Sequence, residues 1–263
     1  MKIKMLSFLV VVLALVSCEK PQKPLQQQEK NMNAEIIVDT IDYMDSIQIN
    51  PKVTAVYASQ LLYFPEITNQ NILDSIYFDY PSDLYNKDVL LLKIQDSAKA
   101  YFERNKDYPE RDFKINLTQK SRMEALYHEK EFLAIKYFTF WDQGGAHPNS
   151  NGIYKVFDLR NNRKLALSDI TELDSDQLSD LLMTNFKNTE QYKSQGENAN
   201  ISEMLLVDKI SPNENFYFDE NNLYFHYNPY EIAPYAMGNI DISIPWEKIK
   251  NSLNPEFKER MEF

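Results

Sequence analysis

One cysteine in 263 residues, Cys18, limits what this chain can fold into more than any other feature. A lone thiol closes no internal disulfide and supports no cysteine-built metal site, so the folded state has to stand on its core. The composition makes that feasible. With 43% hydrophobic and 13% aromatic residues, the chain can bury one large core or two small ones.

The position of the cysteine carries a second message. Lys2 and Lys4 precede an apolar run from Met5 to Val16 that closes on Leu15-Val16-Ser17-Cys18. The run falls short of the roughly 20 residues a bilayer-spanning helix needs, so residues 1–17 read as a signal peptide. The Leu-x-Ser-Cys ending resembles the lipobox cut by lipoprotein signal peptidase, which implies lipidation of Cys18 and export to a bacterial membrane. Glu19, in place of aspartate after the cysteine, favours the outer membrane, on its periplasmic or surface face. Residues 18–33, with Pro21, Pro24 and Gln26-Gln27-Gln28, hold almost nothing apolar and read as a flexible tether. Without Lys2 and Lys4 the balance is 26 basic against 39 acidic side chains, a net −13. That charge argues against nucleic acid and anionic head groups as partners and permits a cationic one.

From about Ala34 the patterning alternates between strand and helix. Val53 to Ala58 is a period-two run of β-formers, apolar on both faces. Ile72, Leu73, Ile76 and Tyr77 share a helical face, and a longer helix carries Leu91, Ile94, Ala98 and Tyr101 behind the capping residue Asn86. Strands are expected from Phe113 and again from Phe132 to Trp141, forming a long hairpin around the polar residues 128–131. A strand from Ile153 to Leu159 and a short one at Leu165 to Leu167 follow. Asp174 with Gln177 makes a capping box ahead of Leu178, Leu181, Leu182 and Phe186. Residues 188–200 read as an exposed loop. Phe216 to Tyr227 read as a hairpin, Ile240 to Ile244 as a strand with one wet face, and Trp246 to Leu253 as a short helix behind Pro245. The class is α+β with mainly antiparallel sheet and packed helices.

Two segments carry a family resemblance. One is Gly144-Gly145-Ala146-His147-Pro148-Asn149, followed by Tyr154, Phe157-Asp158-Leu159 and Leu165-Ala166-Leu167-Ser168-Asp169. The other is Phe225-His226-Tyr227-Asn228-Pro229-Tyr230-Glu231-Ile232-Ala233-Pro234-Tyr235, then Gly238 and a strand ending Ile244-Pro245. Together they resemble the domain of unknown function shared by the extracytoplasmic part of RsiV-type anti-sigma factors and by PdaC-type peptidoglycan deacetylases. The resemblance spans residues 34–254, taken as an N-terminal part (34–160) and a C-terminal part (161–254) of one module. RsiV-type proteins recognise a muramidase (lysozyme) with this domain, whereas their sigma-factor grip and the deacetylase chemistry reside outside it. The resemblance therefore implies recognition in the cell envelope, with a muramidase-like protein or a peptidoglycan fragment as partner.

The residues themselves leave the function open. Pro229, Tyr230, Glu231 and Tyr235 combine rigid aromatics with a restricted backbone, which suits a partner-binding surface; the same tyrosines also suit an inward-packed loop with Glu231 capping buried amides. Gly144 and Gly145, in a chain with only five glycines, imply a loop of specific shape, read either as a turn or as a ligand cradle. His147 lacks the spacing of a metal site with His128 or His226, so no metal and no cofactor is expected. Catalysis is not indicated by any nucleophile motif and stays an alternative: an envelope glycan hydrolase or deacetylase would draw on Glu231, Asp142 and His147. A purely structural lipoprotein is the third reading.

Overall fold

A computed structural model describes residues 36–196 and 199–263 of the chain. The signal segment, Cys18 and the tether lie outside the described residues. Six strands form one sheet in chain order: β1 (Asp39–Asn50), β2 (Val53–Tyr63), β3 (Ile115–Glu129), β4 (Phe132–Asp142), β5 (Asn149–Asp158) and β6 (Arg163–Lys164). Neighbours are antiparallel except β2 and β3, which run parallel with Val53 opposite Ile115 and Gln60 opposite Arg122. A parallel pair needs a long crossover. Here it contains α1 (Gln70–Ile76) and α2 (Lys87–Asn105), and the Asn86 side chain accepts from the Val89 N–H to cap α2. Leu90, Ile94, Ala98 and Tyr101 lie at its helical repeat and are buried.

The second sheet is an antiparallel meander of β7 (Phe216–Phe218), β8 (Asn222–Tyr227) and β9 (Ile240–Pro245). Around it lie α3 (Leu167–Ile170), α4 (Ser175–Phe186), α5 (Glu190–Ser194), α6 (Ile201–Met204), α7 (Trp246–Ile249) and α8 (Pro255–Met261). The fold is α+β with mainly antiparallel sheet. Among the described residues no helix is long and apolar enough to cross a membrane.

Strand β4 serves two cores, which explains its nearly unbroken apolar run. Phe132 and Ala134 face a core built with α4, α8 and the meander, while Leu133, Ile135 and Tyr137 face a second core beneath α1 and α2. On β5, Val156 and Phe157 divide in the same way. The β3–β4 turn consists of Lys130 and Glu131, both at positive φ (52° and 62°), as a tight two-residue hairpin requires.

Helix α8 is fastened to this turn by a buried charge pair. Arg260 Nη1 lies 2.8 Å from Asp158 Oδ2, with both side chains almost fully buried. Arg260 Nη2 donates to the Lys130 carbonyl at 3.0 Å, and the guanidinium sits 3.8 Å from the Phe132 ring centroid. Burial alone would raise the Asp158 carboxyl, but hydrogen bonds from Asn161 and the Arg260 charge outweigh it and hold the group below its ordinary value.

Two segments differ from the sequence expectation. The short strand expected at Leu165 to Leu167 is displaced to Arg163–Lys164, because Asp169 Oδ2 accepts from the Ala166 N–H at 2.7 Å and from Arg163 at 2.6 Å and so turns the chain into α3. The stretch 188–200 is not simply an exposed loop. Thr189 caps α5, and Tyr192 is buried with its hydroxyl donating to the Ala199 carbonyl at 3.1 Å.

Removing Arg260 would strand a buried carboxylate. Arg260→Met is expected to lower the unfolding free energy by about 3–5 kcal/mol at neutral pH, read from urea denaturation. Because the Asp158 carboxyl is held low, its favourable contribution is present above its unfolded value of 3.8 and is lost as the pH falls through the lower folded one. The gap between wild type and Arg260→Met should therefore narrow in acid.

Candidate functional site

Two loops meet at one end of the sheets: residues 143–148 between β4 and β5, and residues 228–239 between β8 and β9. The first is shaped at Gly144, whose φ is +69° and whose N–H donates to Asp142 Oδ1 at 2.9 Å. A Cβ there would lie 2.9 Å from the Tyr108 hydroxyl and 3.1 Å from Ile115, so the position demands glycine. Gly145 has open space around it. The shape places His147 flat against Tyr235, with ring centroids 3.9 Å apart and planes 25° from parallel. Both residues donate to a single acceptor, the Pro148 carbonyl, Tyr235 through its hydroxyl at 2.7 Å and His147 through Nδ1 at 2.9 Å.

Tyr230 completes the cluster. Its centroid lies 5.8 Å from Tyr235 and 6.4 Å from His147, and its hydroxyl is 3.4 Å from His147 Nε2. The turn Asn228-Pro229-Tyr230-Glu231 has the features of type II: proline second, a left-handed third residue and a bond from the Glu231 N–H to the Asn228 carbonyl at 3.1 Å. That third position favours glycine, yet it holds a tyrosine at φ 72° that is 55% exposed. Of the residues singled out from sequence, Tyr230 projects outward, while Tyr235 is half-buried and tied to the neighbouring loop.

The two carboxylates considered for catalysis both hold backbone. Glu231 accepts from the Asn228 N–H at 2.9 Å through one oxygen and from Asn228 Nδ2 at 3.2 Å through the other. Asp142 caps the Gly144 N–H, as described. Among the described residues no group of three histidine, cysteine, aspartate or glutamate side chains is placed to hold a metal ion.

Beneath the loops lies a junction that the sequence reading overlooked. Among the described residues the first half of β5 has no strand on its outer side, and asparagine side chains take the place of one. Asn228 Oδ1 accepts from the Gly152 N–H at 2.6 Å while its Nδ2 donates to the Gly152 carbonyl at 3.1 Å. Asn215 Nδ2 donates to the same carbonyl at 2.9 Å, and its Oδ1 accepts from the Tyr154 N–H at 2.7 Å. His226, buried, has Asp241 Oδ1 2.8 Å from Nδ1 and Asn228 Oδ1 3.3 Å from Nε2. A ladder of stacked tyrosines, Tyr154 on Tyr217 at 4.6 Å and Tyr217 on Tyr224 at 4.7 Å, runs across the junction. The only local signal for this was the Asn-Pro-Tyr-Glu spacing, which places Glu231 three residues beyond Asn228.

Residues 161–247 match the family described as "Protein of unknown function (DUF3298)". The matched stretch contains the 228–239 loop and the meander, whereas the 143–148 loop precedes it. No curated protein matches the chain in sequence. In fold, the chain is similar to the crystal structure of a DUF3298 family member from Bacteroides fragilis, with a TM-score of 0.69 and 23% identity over 89% of this chain and 99% of that one. It is also similar to a DUF3298 family protein from Pseudomonas aeruginosa, with a TM-score of 0.63 and 13% identity over 86% of this chain and 98% of the other.

The junction makes a direct stability prediction. A Cβ at position 152 would stand 2.8 Å from Nε2 of His226, a buried ring held at Nδ1 by Asp241. Gly152→Ala should lower stability by about 1–3 kcal/mol. Most of that loss should vanish when the substitution is made in a His226→Ala background, a coupling that a double-mutant cycle on thermal unfolding measures.

Proposed function

We propose that this chain is a lipid-anchored cell-envelope protein whose α+β module captures a partner through the His147, Tyr230 and Tyr235 cluster. The partner is a muramidase-like protein or a peptidoglycan fragment, and the kinship with RsiV-type and PdaC-type modules belongs to the same proposal. One observation carries it: Tyr230 holds a left-handed position that costs a non-glycine residue about 1–2 kcal/mol, while most of its ring area faces solvent and adds little to the core. An exposed aromatic kept against its own backbone preference fits a role in recognition. The surrounding bonds to Pro148 and Asn228 keep the cluster ordered before any partner arrives, which reduces the entropy lost on docking.

The anchor and the charge support the same reading. Acyl chains at Cys18 would hold the module at a membrane, with residues 18–33 as its leash. The acidic balance would steer a cationic muramidase toward the module, an attraction that salt screens.

Three results test this. Palmitate labelling of the expressed protein should disappear in Cys18→Ala. A muramidase pull-down should retain the enzyme at low ionic strength and less of it at high, and sedimentation with purified peptidoglycan tests the other partner; retention of neither removes both. Tyr230→Gly should weaken capture by about 2 kcal/mol, roughly thirtyfold, while the unfolding midpoint stays level or rises because glycine relieves the turn. A fall of many degrees would instead make Tyr230 a packing residue.

A further inference from the structure

An open cleft of about 630 Å³ runs beside the outer edge of β5, bounded by residues 207–215 and 227–232. Its size is that of sites that hold small ligands. Most of the charged groups along it are engaged. Lys209 pairs with Asp176 and Asp180, each at 3.2 Å, and Glu231 bonds Asn228 through both oxygens. Lys155 lines the cleft, but its ammonium lies on the α1 side of the sheet, donating to the Ser75 carbonyl at 3.1 Å and 3.3 Å from the Phe78 ring centroid. One charge of each sign remains. The Lys164 ammonium has no ion-pair or hydrogen-bond partner among the described residues, and Glu214 has one oxygen on the Leu167 N–H at 3.3 Å and leaves the other open.

The uncharged groups of the cleft define what would fill it. Asn215 and Asn228 are bound to the β5 backbone, and Asn213 to the His226 carbonyl and the Asn215 N–H. The Asn151 carboxamide and the Ser211 hydroxyl, by contrast, have no hydrogen-bond partner among the described residues. Each offers a donor and an acceptor. Val207 and Pro212 add apolar wall. We propose that this cleft binds a short uncharged glycan of acetamido sugars, with an acetamido group paired to Asn151 and ring hydroxyls on Ser211, Glu214 and Lys164. A hydroxyl answers both of the lone charges, since it donates to a carboxylate and accepts from an ammonium. An anion would meet Lys164 but face Glu214 and Glu231, and a cation would meet the reverse. Val207 and Pro212 take the C–H faces of the sugar rings. This site is separate from the aromatic cluster and stands whether or not that cluster captures a partner.

Asn151 and Ser211 give a readout that a structural role would not. Their side chains bond nothing in the free protein among the described residues, so truncating either leaves the fold as it is. A loss of affinity at an unchanged unfolding midpoint then reports a contact made with the ligand.

The test is a chemical-shift titration of the isotope-labelled chain with tri-N-acetylchitotriose. Saturable shifts at Asn151, Ser211 and Glu214 are expected. Asn151→Ala and Ser211→Ala should each weaken binding about fivefold without moving the unfolding midpoint. Maltotriose, which has the same number of rings and no amide, should bind about tenfold more weakly than the acetylated trimer. Tyr230→Gly should leave the binding unchanged, which separates this site from the aromatic one. The proposal is overturned if no saturable shift appears, if either alanine variant binds as tightly as the wild type, or if maltotriose or the deacetylated, cationic trimer binds as tightly as the acetylated one. It is also overturned if the shifts fall only on the 143–148 and 228–239 loops, a result that would assign the glycan to the aromatic cluster instead.

Discussion

The bond pair between the Asn228 side chain and the Gly152 backbone holds in place the end of this molecule where the 143–148 and 228–239 loops meet. A side-chain amide offers a donor and an acceptor at the spacing of a peptide group, so it can close a strand edge where no strand lies. Aspartate at 228 would have no donor for the Gly152 carbonyl, and leucine would leave the Gly152 N–H unpaired and the carbonyl with Asn215 alone, which costs more than the lost hydrogen bonds themselves contribute. Gly152 is required on the other side, since any larger residue would run into His226. With these contacts made, β8 leads directly into Pro229 and Tyr230, and the rim aromatics inherit their position from the sheet junction below.

The two sheets cannot be treated as separable pieces. The core around the meander uses Phe132, Ala134 and Val156, which β4 and β5 contribute from outside residues 161–247. Arg260, still further along the chain, closes the same region from the opposite side through Asp158 and Lys130. The segment that carries the family match therefore completes its core only against strands that precede it. The antiparallel order of β3, β4 and β5 is what brings those strands to it.

What the sequence made legible were local features with strong physical signatures: the alternation of β4, the Asn86 cap of α2 and the reciprocal Asp174–Gln177 box of α4. What it concealed depended on distant partners. Strand β1 carries Asp39, Asp42 and Asp45 on a sheet edge, a pattern that looks solvated until Ile41 is seen to be buried against β2. Helix α5 reports itself by one buried side chain, Tyr192, among polar neighbours. The parallel β2–β3 pairing follows from a crossover of some fifty residues, which no local pattern encodes. At the site, residue types and loops were readable, but their meeting was not. His147 and Tyr230 are 83 positions apart, and Tyr235 is 87 from the carbonyl it bonds.

The same distinction between local and long-range applies to charge. A net negative chain steers cations from a distance, and that is as far as a sum over the sequence reaches, because salt screens exposed charges beyond roughly 8 Å. Inside a cleft the low dielectric lets the nearest groups dominate. Lys155 shows this: burial, and then the Lys164 charge, push it down to about 8 against the pull of Asp79, although the chain as a whole is acidic. The 228–239 loop carries Tyr230 on its exposed side, while Glu231 turns back on Asn228. Since Asn228 is also the residue that fixes the loop to β5, the aromatic rim rests on that one support.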